Sequence, residues 1–368
     1  MTMRVGILGG GQLGQMLAKA AKTLGVETLV LDPTPDAVAG QVTTHLAADW
    51  NDAEALDALA ACDVVTYEFE NVPRETVEAL VSRVPVHPAP EALVLSGDRL
   101  LEKRFFQSLG IEPAPFAPVS SREELDAAVA EIGLPGVLKT RRFGYDGKGQ
   151  AVLRNAADVT AAWDTLGGED LVLEGFVPFD REISIGAARG RDGSMRYWPA
   201  TENVHVDGIL HLSTAPAENV DEALFEKASA GLEAIMAKLD YVGVLVVEFF
   251  QLGDRLVANE MACRVHNSTH WTIEGAPASQ FENQIRAVAG MPLGETEAEG
   301  FSAMLNLVGT IPDLASLQGV PGVFVHDYGK APRPGRKLGH ITVTAATRDE
   351  LATLLARVIE VAGDCSRC

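Results

Sequence analysis

Short apolar runs and segments with helical spacing alternate along the first third of the chain. The pattern predicts strands at 4–8, 27–31 and 63–67, and helices at about 13–24, 53–60 and 73–82. Strands that alternate with helices in this way are typical of a parallel α/β sheet. A stretch with three prolines follows, from Val84 to Leu95, and it predicts a boundary between structural units.

Beyond this boundary the pattern mixes helices with antiparallel strands. Asp98 is predicted to cap a helix that begins at Arg99. The pattern further predicts helices near 123–132, 156–166, 220–239 and 280–289, strands around Lys139 and at 171–174, and hairpins through 182–212. From Ser302 onwards the chain is predicted to form a β-rich module.

Composition and charge narrow the function classes. The 368 residues suffice for two or three domains, and 47% hydrophobic with 22% charged residues is ordinary for a globular protein. A net charge of −21 argues against binding to nucleic acid or to an anionic membrane. Without an 18-residue apolar run or a signal-peptide pattern, the cytoplasm is the expected location. The terminal Cys365 and Cys368 could bind a metal or cycle redox, but a frayed tail is favoured because no second pair completes a zinc site.

A glycine-rich loop between two apolar runs gives the first chemical signal. Residues 138–153 contain three glycines in the loop and four cations, Lys139, Arg141, Arg142 and Lys148. Glycine lets backbone N–H groups approach a phosphate, and the cations neutralise its charge. The segment predicts a hairpin that folds over an anion, although a flexible basic surface hairpin fits the same pattern. A P-loop is excluded because its glycine–lysine spacing is missing.

Two neighbouring strands downstream carry carboxylates. Glu248 lies near the end of the apolar run 242–249, and a short turn leads to a second strand with Asn259 and Glu260. A carboxylate in an apolar setting needs a partner, and paired carboxylates suit Mg²⁺. The alternatives are glutamates that face solvent or a salt bridge to a lysine. Combined with the hairpin, the pair predicts a nucleotide held between two lobes.

The first turn of the chain supports a competing interpretation. Gly9 to Gly14 fits G-x-G-x-x-G between a strand and a helix, and Asp32 stands where a dinucleotide fold places its ribose carboxylate. Alone, this motif favours an NAD-dependent oxidoreductase. A helix N-terminus behind glycines binds any phosphate, however, and this interpretation leaves the hairpin and the paired glutamates unexplained.

The order of these parts resembles the ATP-grasp superfamily. Within it, four stretches, 66–73, 143–150, 264–272 and 333–340, are similar to the 5-(carboxyamino)imidazole ribonucleotide synthetase family, and the resemblance runs from about residue 4 to 360. It implies an α/β ATP-grasp fold. The expected domains are a Rossmann-like N-terminal domain (1–97), a two-lobed ATP-grasp domain (98–295) and a small β-rich C-terminal module (296–368).

The resemblance also implies an ATP site and a Mg²⁺ site. The residues expected at ATP are Arg99, Lys139, Gly144, Tyr145, Asp146, Gly147, Lys148, Gly149, Gln150, Glu174, Gly175, Phe176, Val177, Glu182, His205, Asn259 and Glu260. Arg99 and Lys139 are expected at the phosphates, Glu174 and the following backbone at adenine, and Glu182 at the ribose. Glu248 and Glu260 are the expected Mg²⁺ ligands.

A second set is implied for the ribonucleotide and the chemistry. The expected substrate residues are Gly11, Gln12, Leu13, Glu70, Tyr145, Arg264, His266, Asn267, Lys330, Arg336 and Lys337, and the catalytic candidates are Asp146, Arg264, His266 and Lys330. Asp146 is the named proton acceptor, or it only orients a neighbour, and His266 is either structural or an acid/base. Two departures concern substrate packing: Thr269, where the family often has glycine, and Asp327, where it often has an aromatic residue.

The implied reaction is ATP- and bicarbonate-dependent carboxylation of 5-aminoimidazole ribonucleotide in purine biosynthesis, through carboxyphosphate. These small molecules are the expected partners of a homodimer that binds neither nucleic acid nor membrane. Phosphoryl transfer calls for positioning, cations and Mg²⁺, and a closing hairpin would shield a labile intermediate from water. The alternatives are a sibling ligase such as a formate-using transformylase, the NAD oxidoreductase, and a catalytically silent binding protein.

Overall fold

The computed structural model describes residues 2–144, 147–168 and 170–363. Tyr145, Asp146, Cys365 and Cys368, for which the sequence makes predictions, lie outside the described residues.

The secondary structure follows the predicted order. The strands are β1 Arg4–Leu8, β2 Glu27–Leu31, β3 Thr44–Leu46, β4 Val64–Tyr67, β5 Phe116–Val119, β6 Gly136–Thr140, β7 Gln150–Leu153, β8 Leu171–Gly175, β9 Arg181–Arg189, β10 Met195–Tyr197, β11 Thr201–Val206, β12 Ile209–Ala215, β13 Gly243–Leu252, β14 Arg255–Ala262, β15 Phe301–Val308, β16 Val323–Asp327 and β17 Lys337–Ala345. The α-helices are α1 Gln12–Thr23, α2 Ala53–Ala60, α3 Arg74–Val81, α4 Pro90–Ser96, α5 Arg99–Ser108, α6 Arg122–Ile132, α7 Ala156–Leu166, α8 Glu222–Lys238, α9 Thr272–Gly275, α10 Gln280–Ala289 and α11 Arg348–Ala362. Short 3₁₀ turns lie at Val38–Gln41, Asn267–Thr269 and Ala315–Leu317.

The N-terminal unit is the predicted parallel sheet, in the order β3-β2-β1-β4. The interior of β1, β2 and β4 is mostly apolar because both faces of the sheet are covered, and the buried side chains of Ile7, Val30 and Val64 belong to one core cluster. The proline-containing stretch after it holds helix α4, which the sequence analysis did not predict. Pro90 is the first residue of α4, a position where the missing N–H costs nothing.

The small lobe that follows is an antiparallel sheet in the order β5-β8-β6-β7. Strands β6 and β7 form the predicted hairpin, and the Thr140 N–H donates to the Gly149 carbonyl at 2.8 Å just beyond their pairing. Helices α6 and α7 cover one face through buried side chains such as Leu125 and Val159. This lobe holds the glycine-rich loop on the edge of a rigid sheet.

The large sheet joins the second lobe to the C-terminal module. Its order is β14-β13-β9-β11-β12-β15-β17-β16, with β10 also paired to β9, and the pairs are antiparallel. The C-terminal strands therefore extend the ATP-grasp sheet. The module also ends in helix α11, which the prediction of a β-rich module omitted although Thr347 and Glu350 form a capping box at its start.

No helix in the described part of the chain is both long and apolar enough to cross a bilayer.

The predicted cap of α5 is confirmed, because the Asp98 carboxylate accepts hydrogen bonds from the N–H groups of Leu100 and Leu101. The same carboxylate pairs with Arg141 at 2.6 Å. This contact ties the start of α5 to the β6–β7 hairpin and places both beside one cavity.

Candidate active site

A cavity of about 720 Å³ is lined by all three units. The predicted site residues that line it are Gln12, Leu13, Glu70, Arg99, Lys139, Gly144, Gly147, Lys148, Gln150, Glu174, Gly175, Phe176, Val177, Glu182, His205, Glu248, Asn259, Glu260, Arg264, His266, Asn267, Lys330, Arg336 and Lys337. Gly11 and Gly149 are not among the lining residues. Residues that are far apart in sequence thus meet around one space.

A carboxylate already occupies the glycine-rich turn before α1. Buried Glu68 accepts hydrogen bonds from the N–H groups of Gly11 at 2.7 Å and Gly14 at 2.5 Å. A Cβ on Gly11 would lie 2.6 Å from this carboxylate, so the glycine is needed for the approach of Glu68. Asp32 caps the same loop by accepting from the N–H groups of Gly10 and Thr34. The glycine-rich turn and Asp32, which favoured a dinucleotide site, are therefore hydrogen-bonded to each other.

Three cations from α5 and β6 surround one buried carboxylate. Lys103 and Lys139 contact the two oxygens of Glu174 at 3.2 and 3.0 Å, and Arg99 lies nearby. Burial alone would raise the pKa of Glu174, but the cations outweigh it and lower that pKa to about 2. Burial, followed by the neighbouring cations, lowers the pKa of Lys139 even though Glu174 opposes the shift. Glu174 is ionised and holds the lysines in place.

Arg99 connects these cations to the carboxylate pair and to the hairpin. Its guanidinium lies 3.3 Å from a Glu260 oxygen and donates to the Gly144 carbonyl at 3.1 Å. Burial disfavours its charge, but Glu260 and other carboxylates outweigh that effect and raise its pKa. Arg99 is therefore a fixed positive charge at the mouth of the glycine-rich loop.

Glu248 and Glu260 face each other across β13 and β14, as predicted. A β-bulge at this point adds Asn259, so that Asn259 and Glu260 together oppose Glu248 and all three line the cavity. Burial, reinforced by Glu260, raises the pKa of Glu248 to about 7. Although burial opposes it, the charges of Arg99 and other cations lower the pKa of Glu260.

This pair fits a Mg²⁺ ion. The Oε1 atom of Glu248 is buried and accepts no hydrogen bond from the described residues. An orphaned carboxylate oxygen is costly, and a hard dication with oxygen preference would satisfy it. The donors available are carboxylate and amide oxygens, which is the set that Mg²⁺ prefers.

The hairpin tip touches the second lobe. A Cβ on Gly208, in the β11–β12 turn, would lie 2.7 Å from the Cα of Gly147. Both residues have positive φ, 74° at Gly147 and 78° at Gly208, so the close backbone contact uses glycine on each side. At Gly147 the glycine-rich loop therefore contacts the large sheet beside the cavity.

Arg264 and Glu70 form a partly buried ion pair at 2.6 Å beside the carboxylates. The Nε atom of Arg264 is buried and has no hydrogen-bond partner among the described residues. Asn267 exchanges side-chain hydrogen bonds with Asn306 of β15, which fixes it against the C-terminal module. The segment that contains Arg264 is thus held from both sides of the cavity.

The His266 side chain is neutral, and its Nδ1 atom is hydrogen-bonded to Ser268. Its Nδ1 accepts from the Ser268 N–H at 3.3 Å and lies 2.9 Å from the Ser268 hydroxyl. Burial, together with the charge of Arg264, lowers its pKa well below the usual value. Because Nδ1 is an acceptor, Nε2 carries the proton.

A cluster of cations from the C-terminal module completes the lining: Lys330, Arg333, Arg336 and Lys337. Lys330 donates to the Oε1 atom of Gln12, so this loop contacts the turn before α1. Burial, with the charge of Arg336, lowers the pKa of Lys330 to about 8 even though Glu68 opposes the shift. The cluster is a second concentration of positive charge, carried by a different unit from Lys139.

The two departures from the family pattern have local explanations. The backbone of Thr269 does not have positive φ, and its hydroxyl donates to Gln280 Oε1 at 2.6 Å, with the His266 carbonyl oxygen 3.1 Å away. Threonine therefore fits without strain. Asp327 accepts a hydrogen bond from the Gly329 N–H at 2.7 Å, and so it stabilises the turn before Lys330.

Several residues in or behind the cavity wall were not predicted from the sequence. Lys103 lies one helical turn after Arg99, so the i, i+4 spacing behind the Asp98 cap was an available signal. Phe179 and Phe250 stack at 4.7 Å and form an apolar wall. Nothing in the sequence pairs these two rings, because they come from a loop and from β13.

Matches to known families cover most of the chain. Residues 1–96 match the ribonucleotide synthetase preATP-grasp domain, residues 104–281 the ATP-grasp domain, and residues 302–353 the phosphoribosylaminoimidazole carboxylase C-terminal domain. The predicted α/β ATP-grasp fold is confirmed.

Whole-length relatives agree. The chain is 52% identical to an N5-carboxyaminoimidazole ribonucleotide synthase of Pseudomonas aeruginosa, and the match covers 98% of both chains. The crystal structure of an N5-carboxyaminoimidazole ribonucleotide synthetase from Thermus thermophilus has a TM-score of 0.93 at 51% identity and covers 98% of this chain and 99% of that one. An Aspergillus clavatus structure in complex with ADP and 5-aminoimidazole ribonucleotide has a TM-score of 0.89 at 33% identity, with 98% of each chain covered.

Proposed function

This chain belongs to the N5-carboxyaminoimidazole ribonucleotide synthase family of ATP-grasp ligases, and from that premise we propose how its cavity divides the reaction among its residues. The reaction is the ATP-dependent carboxylation of 5-aminoimidazole ribonucleotide in purine biosynthesis. One observation carries the assignment of residues: two separate groups of cations, from the ATP-grasp domain and from the C-terminal module, line a single cavity around a carboxylate pair. Two phosphorylated molecules require two such groups.

The first group binds ATP. Arg99 and Lys139 contact the phosphates, and the loop from Gly144 to Gln150 closes over them, as supported by its contact with the β11–β12 turn. Adenine lies along Glu174 to Val177, where β8 ends beside the wall of Phe179 and Phe250. Both carboxylate oxygens of Glu174 are paired with lysines, Lys103 and Lys139. Adenine is therefore recognised by the backbone that follows Glu174, and not by its side chain.

Glu248 and Glu260 hold Mg²⁺, with Asn259 beside them. When bound, the ion neutralises charge on the transferred phosphoryl group and helps to orient it. Glu182 and His205 lie on the same face of the large sheet, and they contact the ribose of the nucleotide. The lowered pKa of Glu260 keeps one full negative charge available to the metal.

Bicarbonate is the carboxyl donor and reacts through carboxyphosphate. Transfer of the γ-phosphoryl group of ATP to bicarbonate releases ADP, and attack by the amine then releases inorganic phosphate and one proton. Arg264 stabilises the anionic carboxyl group, because its buried Nε has no other partner among the described residues. His266 is neutral and offers an Nε2–H, which makes it a hydrogen-bond donor to this anion and not a base. Asp146 remains the proposed proton acceptor.

The second group binds the ribonucleotide. Its phosphate meets Lys330, Arg336 and Lys337, and its imidazole lies across Gln12, Leu13 and Glu70. The Gly11 N–H is used by Glu68, so Gly11 contributes only the space for that carboxylate. Tyr145 is proposed to close over the ring when the hairpin is in place.

A phosphate-release assay tests this division. Phosphate is expected only when ATP, Mg²⁺, bicarbonate and 5-aminoimidazole ribonucleotide are all present, apart from slow hydrolysis when the ribonucleotide is omitted. Turnover with formate in place of bicarbonate would favour the sibling transformylase reaction and contradict the proposed donor. Saturable NAD binding with no ATP binding would contradict the nucleotide site.

Three further points are proposals on the same basis. The chain is divided into domains at residues 97 and 295, it forms a homodimer, and it works in the cytoplasm with small molecules as its partners. Light scattering on the purified protein at several concentrations tests the dimer, and fractionation of cells tests the location.

A further inference from the structure

Three adjacent strands of the large sheet bring a histidine and two glutamates together. Glu182 on β9 faces Phe250 of β13 and Asn203 of β11. Glu248 stands two residues before Phe250, and His205 stands two residues after Asn203. Side chains two residues apart share one face of a strand, so Glu182, Glu248 and His205 all point to the cavity.

The donor atoms are close enough to bind one ion. One nitrogen or oxygen from each of the three side chains lies within 4.8 Å of the other two. The Nδ1 atom of His205 lies 3.1 Å from a Glu182 oxygen. The Oε1 atom of Glu248 is buried and has no hydrogen-bond partner among the described residues, and Glu248 is only 6% exposed. A buried orphan oxygen of this kind calls for a ligand.

The donor set differs from that of the Mg²⁺ pair. Glu248 and Glu260 offer oxygen alone, whereas the second set adds an imidazole nitrogen. Imidazole suits Zn²⁺ and similar transition metals, while Mg²⁺ prefers oxygen. Three protein ligands with an open fourth position also match the coordination of non-structural zinc sites. We propose that the nucleotide-free enzyme binds a transition-metal dication, such as Zn²⁺, between Glu182, His205 and Glu248.

The proposed metal and ATP exclude each other. This consequence rests on the proposed function, in which Glu182 and His205 contact the nucleotide ribose, whereas the metal site itself depends only on the three side chains. Zn²⁺ is therefore expected to inhibit the ligase competitively with ATP, and saturating ATP is expected to displace the metal.

Visible absorption of Co²⁺ tests the ligands in solution. We expect Co²⁺ added to the nucleotide-free full-length enzyme to give the d–d bands of a four- or five-coordinate site. In His205→Gln the affinity is expected to fall at least about 10-fold, while the control variant His45→Gln keeps it unchanged. His45 lies on β3, where its ring contacts the Asp32 backbone. Equal affinity in both variants, or no Co²⁺ binding at all, would overturn the proposal.

Anomalous X-ray scattering tests the site without any variant. In crystals of the nucleotide-free enzyme soaked with Zn²⁺, a peak is expected about 2.0–2.2 Å from a His205 nitrogen and from carboxylate oxygens of Glu182 and Glu248. A peak only between Glu248 and Glu260, or only at the Cys365–Cys368 pair, would overturn it.

Displacement by a non-hydrolysable ATP analogue then separates the two proposals. Metal bound at His205 and not displaced by the analogue supports the metal site and contradicts the nucleotide placement. ATP binding without any metal at His205 overturns the metal site alone.

Discussion

Substitution of Glu174 by glutamine tests the buried charge cluster on which the ATP site rests. The change keeps the shape of the side chain but removes the charge that Lys103 and Lys139 share. The carboxylate is 4% exposed, so solvent does little to screen the loss. After the substitution, Lys103 and Lys139 lose the carboxylate that both contact, whereas Arg99 keeps its pairing with Glu260. We expect lower stability and weaker fixation of Lys139.

The magnitude follows from the pKa. Glu174 has a pKa of about 2 in the folded protein against a reference value of 4.5. The difference corresponds to about 3 kcal/mol of stability near neutral pH. Loss of one partner of a buried ion pair costs about 3–5 kcal/mol, which agrees with this value. The variant is therefore expected to lose about 3 kcal/mol of unfolding free energy at pH 7.5.

The pH dependence has a definite sign. The folded-state pKa is depressed, so the contribution is complete above about pH 4.5 and is lost as the pH falls towards 2. At pH 3.5 roughly two-fifths of it is gone. The difference in stability between the native protein and Glu174→Gln should therefore be constant from pH 7.5 to 5.5 and should shrink below pH 4.5.

Urea unfolding at a series of pH values measures this difference, and hydrogen exchange of the β6 and β8 amides reports on the same lobe locally. The matched control is Glu112→Gln, because Glu112 pairs with Arg255 at 2.5 Å but both side chains are about half exposed. The control should change stability only slightly. The reasoning fails if both variants behave alike, or if the effect of Glu174→Gln does not shrink in acid.

Three further outcomes are expected. Glu260→Gln should lower turnover at least about 100-fold with unchanged circular dichroism, because Mg²⁺ loses a charged ligand; near-normal turnover would contradict the metal assignment. Arg336→Ala should raise KM for the ribonucleotide about 10- to 100-fold and leave KM for ATP unchanged, because one charge-assisted phosphate contact contributes about 1.5–3 kcal/mol. A rise in KM for ATP alone would instead place the C-terminal cations at the ATP site. Because the pKa of Lys330 is about 8, its charge is present below that pH and lost above it. The KM for the ribonucleotide should therefore rise as the pH passes about 8, and a KM that stays constant from pH 7 to 9 would show that Lys330 does not contact the phosphate.

The sequence predicted those features that depend on local patterning. Helices α2, α7 and α10 begin and end where the apolar spacing placed them. The pairing of Glu248 with Glu260 followed from two apolar runs joined by a short turn, because such a turn brings the strands into antiparallel contact. Most residues assigned through the family resemblance line the same cavity.

Features that depend on long-range geometry could not be read from the pattern. The bulge that directs Asn259 and Glu260 to the same side is an extra residue in one strand, and no periodicity reports it. The extension of the ATP-grasp sheet by β15 requires its pairing with β12, nearly 90 residues earlier. Lys103 could have been found from helical spacing, but its burial beside Glu174 needed the fold.

The glycine-rich turn shows most clearly how a correct motif can indicate the wrong ligand. Its N–H groups and the N-terminus of α1 favour a bound negative charge, which a dinucleotide phosphate could provide. Here the charge comes from Glu68, which is 7% exposed and lies 54 residues beyond Gly14. Burial raises the pKa of Glu68, but the N–H donors and Lys330 oppose that shift. With its anion supplied internally, the turn is a rigid support that presents Gln12 to Lys330, and the phosphates must bind to cations elsewhere in the cavity.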